Sequence, residues 1–141
     1  RLLHRLPLPL LAYDGFAEPA SDENAIYAHA PMRFILRVPV GQYGFSTKFG
    51  YNPAALNQRE GHSDGMEVRI VLETAAGEHT LLRRSLDPAR AEDQPLQQAN
   101  LALDCPESGQ LQLIVAPGPS GIINWDWAMW TDMQVTPAAK H

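Results

Sequence analysis

Residues 124–132 (NWDWAMWTD) concentrate the side chains with the greatest capacity for chemistry in this chain. They include all three tryptophans and two carboxylates, with Asn124 beside Trp125 and Asp126 between two indoles. An aromatic side chain can bury roughly 150–250 Å² in a core, or its face can support a ligand with an apolar side, such as a sugar ring. We expect both uses here, and the stretch favours a binding domain over an enzyme.

The last strand, predicted from about residue 122 to 135, passes through the tryptophans. If its side chains alternate regularly, Trp127 shares a face with Val135, whereas Trp130 lies on the opposite face. We therefore predict that Trp127 belongs to the core. Trp130 is predicted to pack at the edge of the sheet and to belong to the core with Trp127, with a stacking platform as the alternative. Trp125 follows a glycine-containing loop and is the best candidate for an exposed ring.

Two carboxylates, Asp126 and Asp64, are placed to assist a ligand. A carboxylate between two indoles stays ionised only where hydrogen-bond donors surround it, so Asp126 is interpreted as an acceptor that pins a loop. Asp64 precedes Gly65 and suits a turn in which it accepts from its own backbone. Each carboxylate could instead accept a hydrogen bond from a sugar hydroxyl.

Catalysis is the rival interpretation, because Asp126 paired with Asp132 or Asp64 could serve a glycan hydrolase or lyase. The sequence contains no G-x-S-x-G motif, phosphate-binding loop, dinucleotide-binding motif or Cys–His arrangement that would position a nucleophile or a base. We therefore predict that the protein is not an enzyme.

A long polar connection, residues 50–65, is the second candidate region. Loops of this length in compact domains are often functional. Its aromatic ring and its planar donors are the groups from which sugar sites are built. They are Tyr51, Asn57, Gln58, Arg59 and His62. A solvated loop without a ligand is the alternative.

Composition excludes several classes of partner. The net charge is −5 and no cluster of lysines or arginines could follow a phosphate backbone, so nucleic acid is excluded. The single cysteine, Cys105, cannot form an intramolecular disulfide. The acids Glu18, Asp22 and Glu23 could ligate calcium, but their spacing fits no EF-hand and a solvated loop is the simpler interpretation. The five histidines lack zinc-site spacing, and we predict no cofactor.

The chain is predicted to be one all-β domain. Twelve prolines and ten glycines among 141 residues interrupt any long helix. Eight or nine short segments alternate apolar and polar residues, with the clearest hairpin at residues 66–86. Each strand has one apolar face to hide, so two packed antiparallel sheets are expected. We predict a lead-in over residues 1–12, a sandwich over 13–137 and a tail over 138–141.

Two stretches together resemble a known family. The turn and strand Ser63-Asp64-Gly65-Met66-Glu67-Val68-Arg69-Ile70 and the closing Asp126-x-x-x-Trp130-x-Asp132 are similar to the NPCBM-like carbohydrate-binding domains, which are galactose-binding-like jelly rolls. The resemblance covers roughly residues 60–136. Where the family has His after the first Asp, this chain has Trp127, so no role of that histidine can be transferred.

The resemblance implies a non-catalytic glycan-binding accessory domain of a bacterial extracytoplasmic or membrane-linked protein. The chain starts at Arg1, and its apolar start is broken by Arg5, Pro7 and Pro9, so we expect part of a longer or processed protein with no transmembrane segment here. A structural domain that packs on its parent protein is the alternative. The predicted ligand-binding residues are Trp125, Asp126, Asn124, Tyr51, Arg59, His62 and Asp64.

Overall fold

The computed structural model of the protein describes residues 2–57, 61 and 63–138. Within them the chain forms ten strands, one four-residue helix and two short 3-10 turns. The strands are Leu10–Gly15 (β1), Ala20–Ser21 (β2), Ala25–His29 (β3), Met32–Val38 (β4), Gly41–Tyr51 (β5), Met66–Thr74 (β6), Gly77–Leu86 (β7), Gln97–Cys105 (β8), Gly109–Pro117 (β9) and Trp127–Pro137 (β10). The helix is Pro53–Leu56 (α1), and the 3-10 turns are Leu2–His4 and Ala91–Asp93.

The strands form two five-stranded antiparallel sheets, which confirms the predicted all-β sandwich. The first sheet has the order β1-β4-β9-β6-β7, and the second has the order β2-β3-β10-β5-β8. The predicted hairpin is present as β6 and β7, which pair from Met66 with Leu86 to Thr74 with Gly77. Gly77 has a φ of +114°, a conformation that glycine adopts without the strain a Cβ would cause.

The inward faces of the two sheets form one apolar core. Most strands that carry this core alternate buried residues with more exposed ones; in β4, Met32, Phe34, Leu36 and Val38 are buried and the residues between them are more exposed. The largest fully buried side chains include Trp130, Tyr51, Phe34, Phe45 and Phe49. The core also reaches into the predicted lead-in, because Leu8 is buried and β1 pairs along β4.

A β-bulge in β10 overturns the predicted regular alternation of the last strand. Trp130 pairs with Phe49, and Val135 pairs with Phe45, so four residues of β10 stand between these pairs where β5 has only three. The extra residue exchanges the inward-facing and outward-facing positions of β10 beyond the bulge. Trp130 and Val135 therefore both point into the core, although they are five residues apart and would lie on opposite faces of a regular strand.

The bulge is held by two local features. Asp132 has a φ of +52°, in the left-handed region that L residues rarely adopt. The hydroxyl of Thr47, which is fully buried, donates a hydrogen bond of 2.9 Å to the carbonyl oxygen of Thr131.

Among the described residues the longest helix has four residues, so none of these helices could cross a membrane.

Candidate functional site

Two loops at one end of the sandwich lie side by side and form the candidate site. The first is the segment before β6, described at residues 61 and 63–65, and the second is residues 118–126 before β10. The backbone N–H of Gly118 donates to the carbonyl of Gly65 over 3.1 Å. The Ser120 hydroxyl donates to Asp64 Oδ2 over 2.5 Å. The two regions predicted from the sequence are thus one structural unit.

A buried chain of polar groups lies beneath the two loops. The Ser63 hydroxyl bonds to Asp126 Oδ1 over 2.5 Å and accepts a hydrogen bond from the Gly65 N–H over 3.0 Å. Tyr51 Oη lies 3.0 Å from Ser63 Oγ, and the Tyr51 hydroxyl donates to the carbonyl of Leu86 over 2.9 Å. This chain joins the ends of β5 and β7 to the loop that precedes β10.

Asp126 is shielded from water and its acidity is weakened accordingly. The residue is 0% exposed, and its Oδ2 atom has no hydrogen-bond partner among the described residues. Burial raises the pKa of Asp126 from 3.8 to about 6; the bond from Ser63 opposes this change, the charge of Asp64 adds to it, and His29 opposes it weakly. Burial likewise raises the pKa of Tyr51 above its ordinary value of 10. Through their hydrogen bonds to Ser63, Tyr51 and Asp126 join the segment before β6 to the loop before β10 within the protein interior.

Trp125 stands at the surface of this unit. Its φ is +63°, and the turn around it is closed by the N–H of Asp126, which donates to the Ile123 carbonyl over 3.1 Å. Its ring is half-buried and meets the ring of Trp127 at 5.1 Å between centroids and 61° between planes. A Cβ at Gly61 would lie 2.4 Å from Trp125 Nε1, so the missing side chain at Gly61 leaves room for the indole.

The predicted ligand-binding residues divide into three groups. Asp64 and Asn124 are exposed and Trp125 is half-buried, so all three can reach a ligand. Tyr51 and Asp126 are at most 1% exposed, so their side chains do not reach solvent. Arg59 and His62, with Gln58, lie outside the described residues.

Sequence reasoning missed several residues that build the site. They are Gly61, Ser63, Gly65, Gly118 and Ser120. The Ser-Asp-Gly order before β6 was noted only as a turn. Ser63 contacts Asp126, 63 residues away, and Ser120 contacts Asp64, 56 residues away. No local sequence pattern predicts contacts between positions so far apart.

The structure confirms the core assignment of one tryptophan and changes that of another. Trp130, expected to pack at the edge of the sheet as part of the core, is fully buried, and its ring lies 5.8 Å from that of Phe49. Trp127 was also assigned to the core, but its side chain is half-buried on the outer face of β10 and packs against the core only in part. The cause is the β10 bulge, which prevents Trp127 from sharing a face with Val135.

The carboxylates of Asp126 and Asp132 lie in different surroundings. Asp132 is exposed at the bulge, where its Oδ2 lies 3.6 Å from Lys48 Nζ, whereas Asp126 points inward.

The acidic loop that could ligate calcium is held by its own hydrogen bonds. Asp22 accepts from the N–H groups of Asn24 and Ala25 and from the Tyr27 hydroxyl. Residues 2–57, 61 and 63–138 contain no cluster of three His, Cys, Asp or Glu side chains that could hold a metal ion.

The same arrangement of strands occurs in solved carbohydrate-binding modules. A CBM51 from Clostridium perfringens GH95, solved with methyl-galactose, superposes with a TM-score of 0.70 at 14% identity over 96% of this chain and 97% of that one. CBM51-2 of Clostridium perfringens ZmpB, solved with GlcNAc and INT domains, gives a TM-score of 0.72 at 15% identity over 95% of this chain. The fold is that of the CBM51 modules.

The two similarities have different extents. This chain spans nearly the whole of the GH95 module but only 31% of the ZmpB structure, which contains further domains. No protein-family model and no curated protein matches the sequence. The solved structures confirm the predicted two-sheet jelly-roll sandwich at the level of the fold.

Proposed function

We propose that this chain is a non-catalytic carbohydrate-binding domain that serves as an accessory domain of a bacterial extracytoplasmic or membrane-linked protein. The observation that supports this most is the shared fold with two modules solved in complex with sugars, over at least 95% of this chain. The half-buried ring of Trp125, together with the exposed side chains of Asp64 and Asn124 in the two loops, provides a surface of the required chemistry.

In the proposed binding mode a sugar ring stacks on Trp125. The hydroxyls of that sugar bond to Asp64, Asn124 and Ser120, which are exposed around the ring. Tyr51 and Asp126 act from below by holding the two loops together through Ser63. Arg59 and His62 remain proposed ligand contacts because they belong to the same loop.

Affinity for a single sugar should be low. Each sugar hydroxyl exchanges a water partner for a protein partner, so each hydrogen bond contributes only about 0.5–1.5 kcal/mol net. Stacking on one ring adds a term of similar size. Loss of translational freedom on binding offsets much of this gain.

A glycan array followed by calorimetric titration with methyl-galactoside and GlcNAc tests the proposal. The wild type is expected to bind at least one glycan, and Trp125→Ala is expected to abolish binding without unfolding the protein. Val40→Ala is the matched control, because Val40 is an exposed apolar residue in the turn between β4 and β5. A folded wild type that binds no glycan would refute the proposal.

A second candidate function is docking onto another domain of the parent protein. β1 is an edge strand, and three large apolar side chains on it or just after it are exposed: Leu11 at 50%, Tyr13 at 40% and Phe16 at 60%. An exposed apolar cluster on an edge strand favours contact with another protein surface. Failure of glycan binding, together with weaker association of the parent protein's domains in Leu11→Ser, would support this function.

A further inference from the structure

A hollow outside the Trp125 site lies on the outer face of the second sheet, where β3 and β10 pair. Its volume is about 170 Å³, the space of roughly six water molecules and therefore of one sugar ring. Its lining side chains and backbone come from Glu18, Ala20, Tyr27, Ala28, His29, Asn52, Trp127 and Ala128.

Strand register brings the aromatic side chains of the hollow together. Trp127 pairs directly with His29, and Met129 pairs with Tyr27. Because Ala128 and Trp130 point into the core, these four side chains lie on the outer face. The bulge of β10 follows at Asp132, so it leaves the alternation in this part of the strand intact.

The polar groups of the hollow have unused hydrogen-bonding capacity. His29 Nδ1 lies 2.6 Å from the carbonyl of Ala30, and because a carbonyl only accepts, Nδ1 donates this hydrogen bond and Nε2 faces away from it. Asn52 Oδ1 accepts from the Ala54 N–H over 3.1 Å, while its amide nitrogen has no partner in the described part of the chain. The Glu18 carboxylate is exposed and carries two acceptor oxygens.

One wall of the hollow is stiffened by ring contacts. The ring of Phe16 contacts that of His29 with 4.8 Å between centroids and 41° between planes, and the Tyr13 hydroxyl donates to Glu18 Oε1 over 3.3 Å. A flat indole, an imidazole, an amide donor and a carboxylate therefore surround a space of one ring. This combination matches a pyranose, which has one apolar face and several hydroxyls.

The hollow adjoins the Trp125 site. The rings of Trp125 and Trp127 meet at 5.1 Å and 61°, so their faces point in different directions. A single sugar stacked on Trp125 cannot also stack on Trp127. Two linked sugar units can, provided that the oligosaccharide bends over the edge between the two indoles.

We infer that the hollow lined by Trp127, His29, Asn52 and Glu18 is a second sugar subsite, and that the ligand is an oligosaccharide of at least two units. This inference rests on the proposed carbohydrate-binding function and specifies its ligand class. The Trp125 site takes one unit of the glycan and the hollow takes the adjoining unit.

Titration with paired mono- and disaccharides tests the second subsite. The probes are GlcNAc and its β1,4-linked dimer, and methyl-galactoside and N-acetyllactosamine. The wild type is expected to bind one disaccharide about tenfold more tightly than the matching monosaccharide, the gain typical of one added stacked and hydrogen-bonded unit. Trp127→Ala and, separately, Glu18→Ala should remove that gain, and Glu18→Ala should leave the monosaccharide affinity within twofold.

Two controls separate failure of the subsite from failure of the function. Met129→Ala lies two residues further along the same face of β10, outside the hollow, and should retain the tenfold gain. Trp125→Ala should weaken all probes. If monosaccharides bind through Trp125 but the disaccharide gain is absent or survives both hollow variants, the subsite is wrong and the function stands. If no probe binds the folded wild type, both are wrong.

Discussion

Ser63 and Asp126 lie 63 residues apart in the sequence, but Ser63 Oγ is 2.5 Å from Asp126 Oδ1 in the buried chain that continues through Tyr51 to the Leu86 carbonyl. The three contacts of this chain need three hydrogens. With Asp126 ionised, the hydroxyls of Ser63 and Tyr51 supply only two, so one contact lacks a hydrogen. Protonation of Asp126 supplies the third, which agrees with its raised pKa.

The first prediction is a decline of stability with pH that originates at Asp126. Its pKa is about 6 in the folded protein against an ordinary value of 3.8, so the folded state binds this proton more tightly than the unfolded state does. The stability that the folded state gains by binding the Asp126 proton is fully present below about pH 4, declines between about pH 4 and 6, and is lost above about pH 7. The decline should reach at most about 3 kcal/mol in the free energy of unfolding.

Denaturant unfolding of the wild type and Asp126→Asn from pH 4 to pH 8 measures this effect. The neutral amide can donate to Ser63 at every pH, so the variant should show a shallower decline. Asp132→Asn, at an exposed carboxylate of the same strand, should keep the wild-type slope. An unchanged slope in Asp126→Asn would contradict the assignment.

The second prediction concerns Tyr51, whose hydroxyl holds the Leu86 carbonyl and approaches Ser63. Tyr51→Phe keeps the buried ring but leaves these partners unsatisfied, which should lower the free energy of unfolding by about 1–3 kcal/mol. Thermal unfolding measures the loss. Tyr43→Phe removes an exposed hydroxyl bond to the Val40 carbonyl and should change stability far less. Equal losses in the two variants would argue against the buried network.

The third prediction separates the tryptophans by substitution. Trp130→Ala should lower the free energy of unfolding by about 3–5 kcal/mol, because it empties a fully buried site beside Phe49. Trp125→Ala should cost less than about 1 kcal/mol, because the ring is half-buried at the surface. Chemical denaturation of both variants provides the comparison. A larger loss for Trp125→Ala would reverse the assignment of core and surface.

The fourth prediction uses the close approach of Gly61 to the Trp125 indole. Gly61→Ala would place a Cβ 2.4 Å from Nε1, so the ring must move. We expect a folded protein whose affinity for the sugar that stacks on Trp125 falls about tenfold, measured by titration. Val40→Ala, at an exposed position in the turn between β4 and β5, should retain the affinity. Undiminished binding in Gly61→Ala would show that the position of the Trp125 ring is unimportant.

The fifth prediction concerns the bulge that sets the orientation of Trp127 and Trp130. Asp132 has a φ of +52°, so Asp132→Gly should preserve or raise stability, whereas Asp132→Val should lower it by about 1–3 kcal/mol. Loss of the exposed ion pair with Lys48 is common to both variants and is worth at most about 1 kcal/mol. Thermal unfolding compares them, and equal stabilities would argue against the left-handed conformation.

Local patterns in the sequence were sufficient for most strands because each strand buries one face. The alternation of Met66, Val68 and Ile70 with charged residues could arise only in a half-buried strand, and Gly77 marked the turn that follows. The two-residue strand β2 was missed, because two residues are too few to show any alternation. The tryptophan stretch and the loop before β6 were recognised as two candidate regions, and only the structure shows that they are neighbours.

By itself, the sequence determined that this protein is an all-β sandwich with an indole-rich end, since alternation and turn residues act over a few neighbouring positions. Only the tertiary structure decided which indole is buried and which carboxylate is shielded. The bulge at Asp132 changes side-chain direction by pairing with β5, and Ser63 meets Asp126 across 63 residues. Both effects depend on which segments become neighbours in space, which no local spacing specifies.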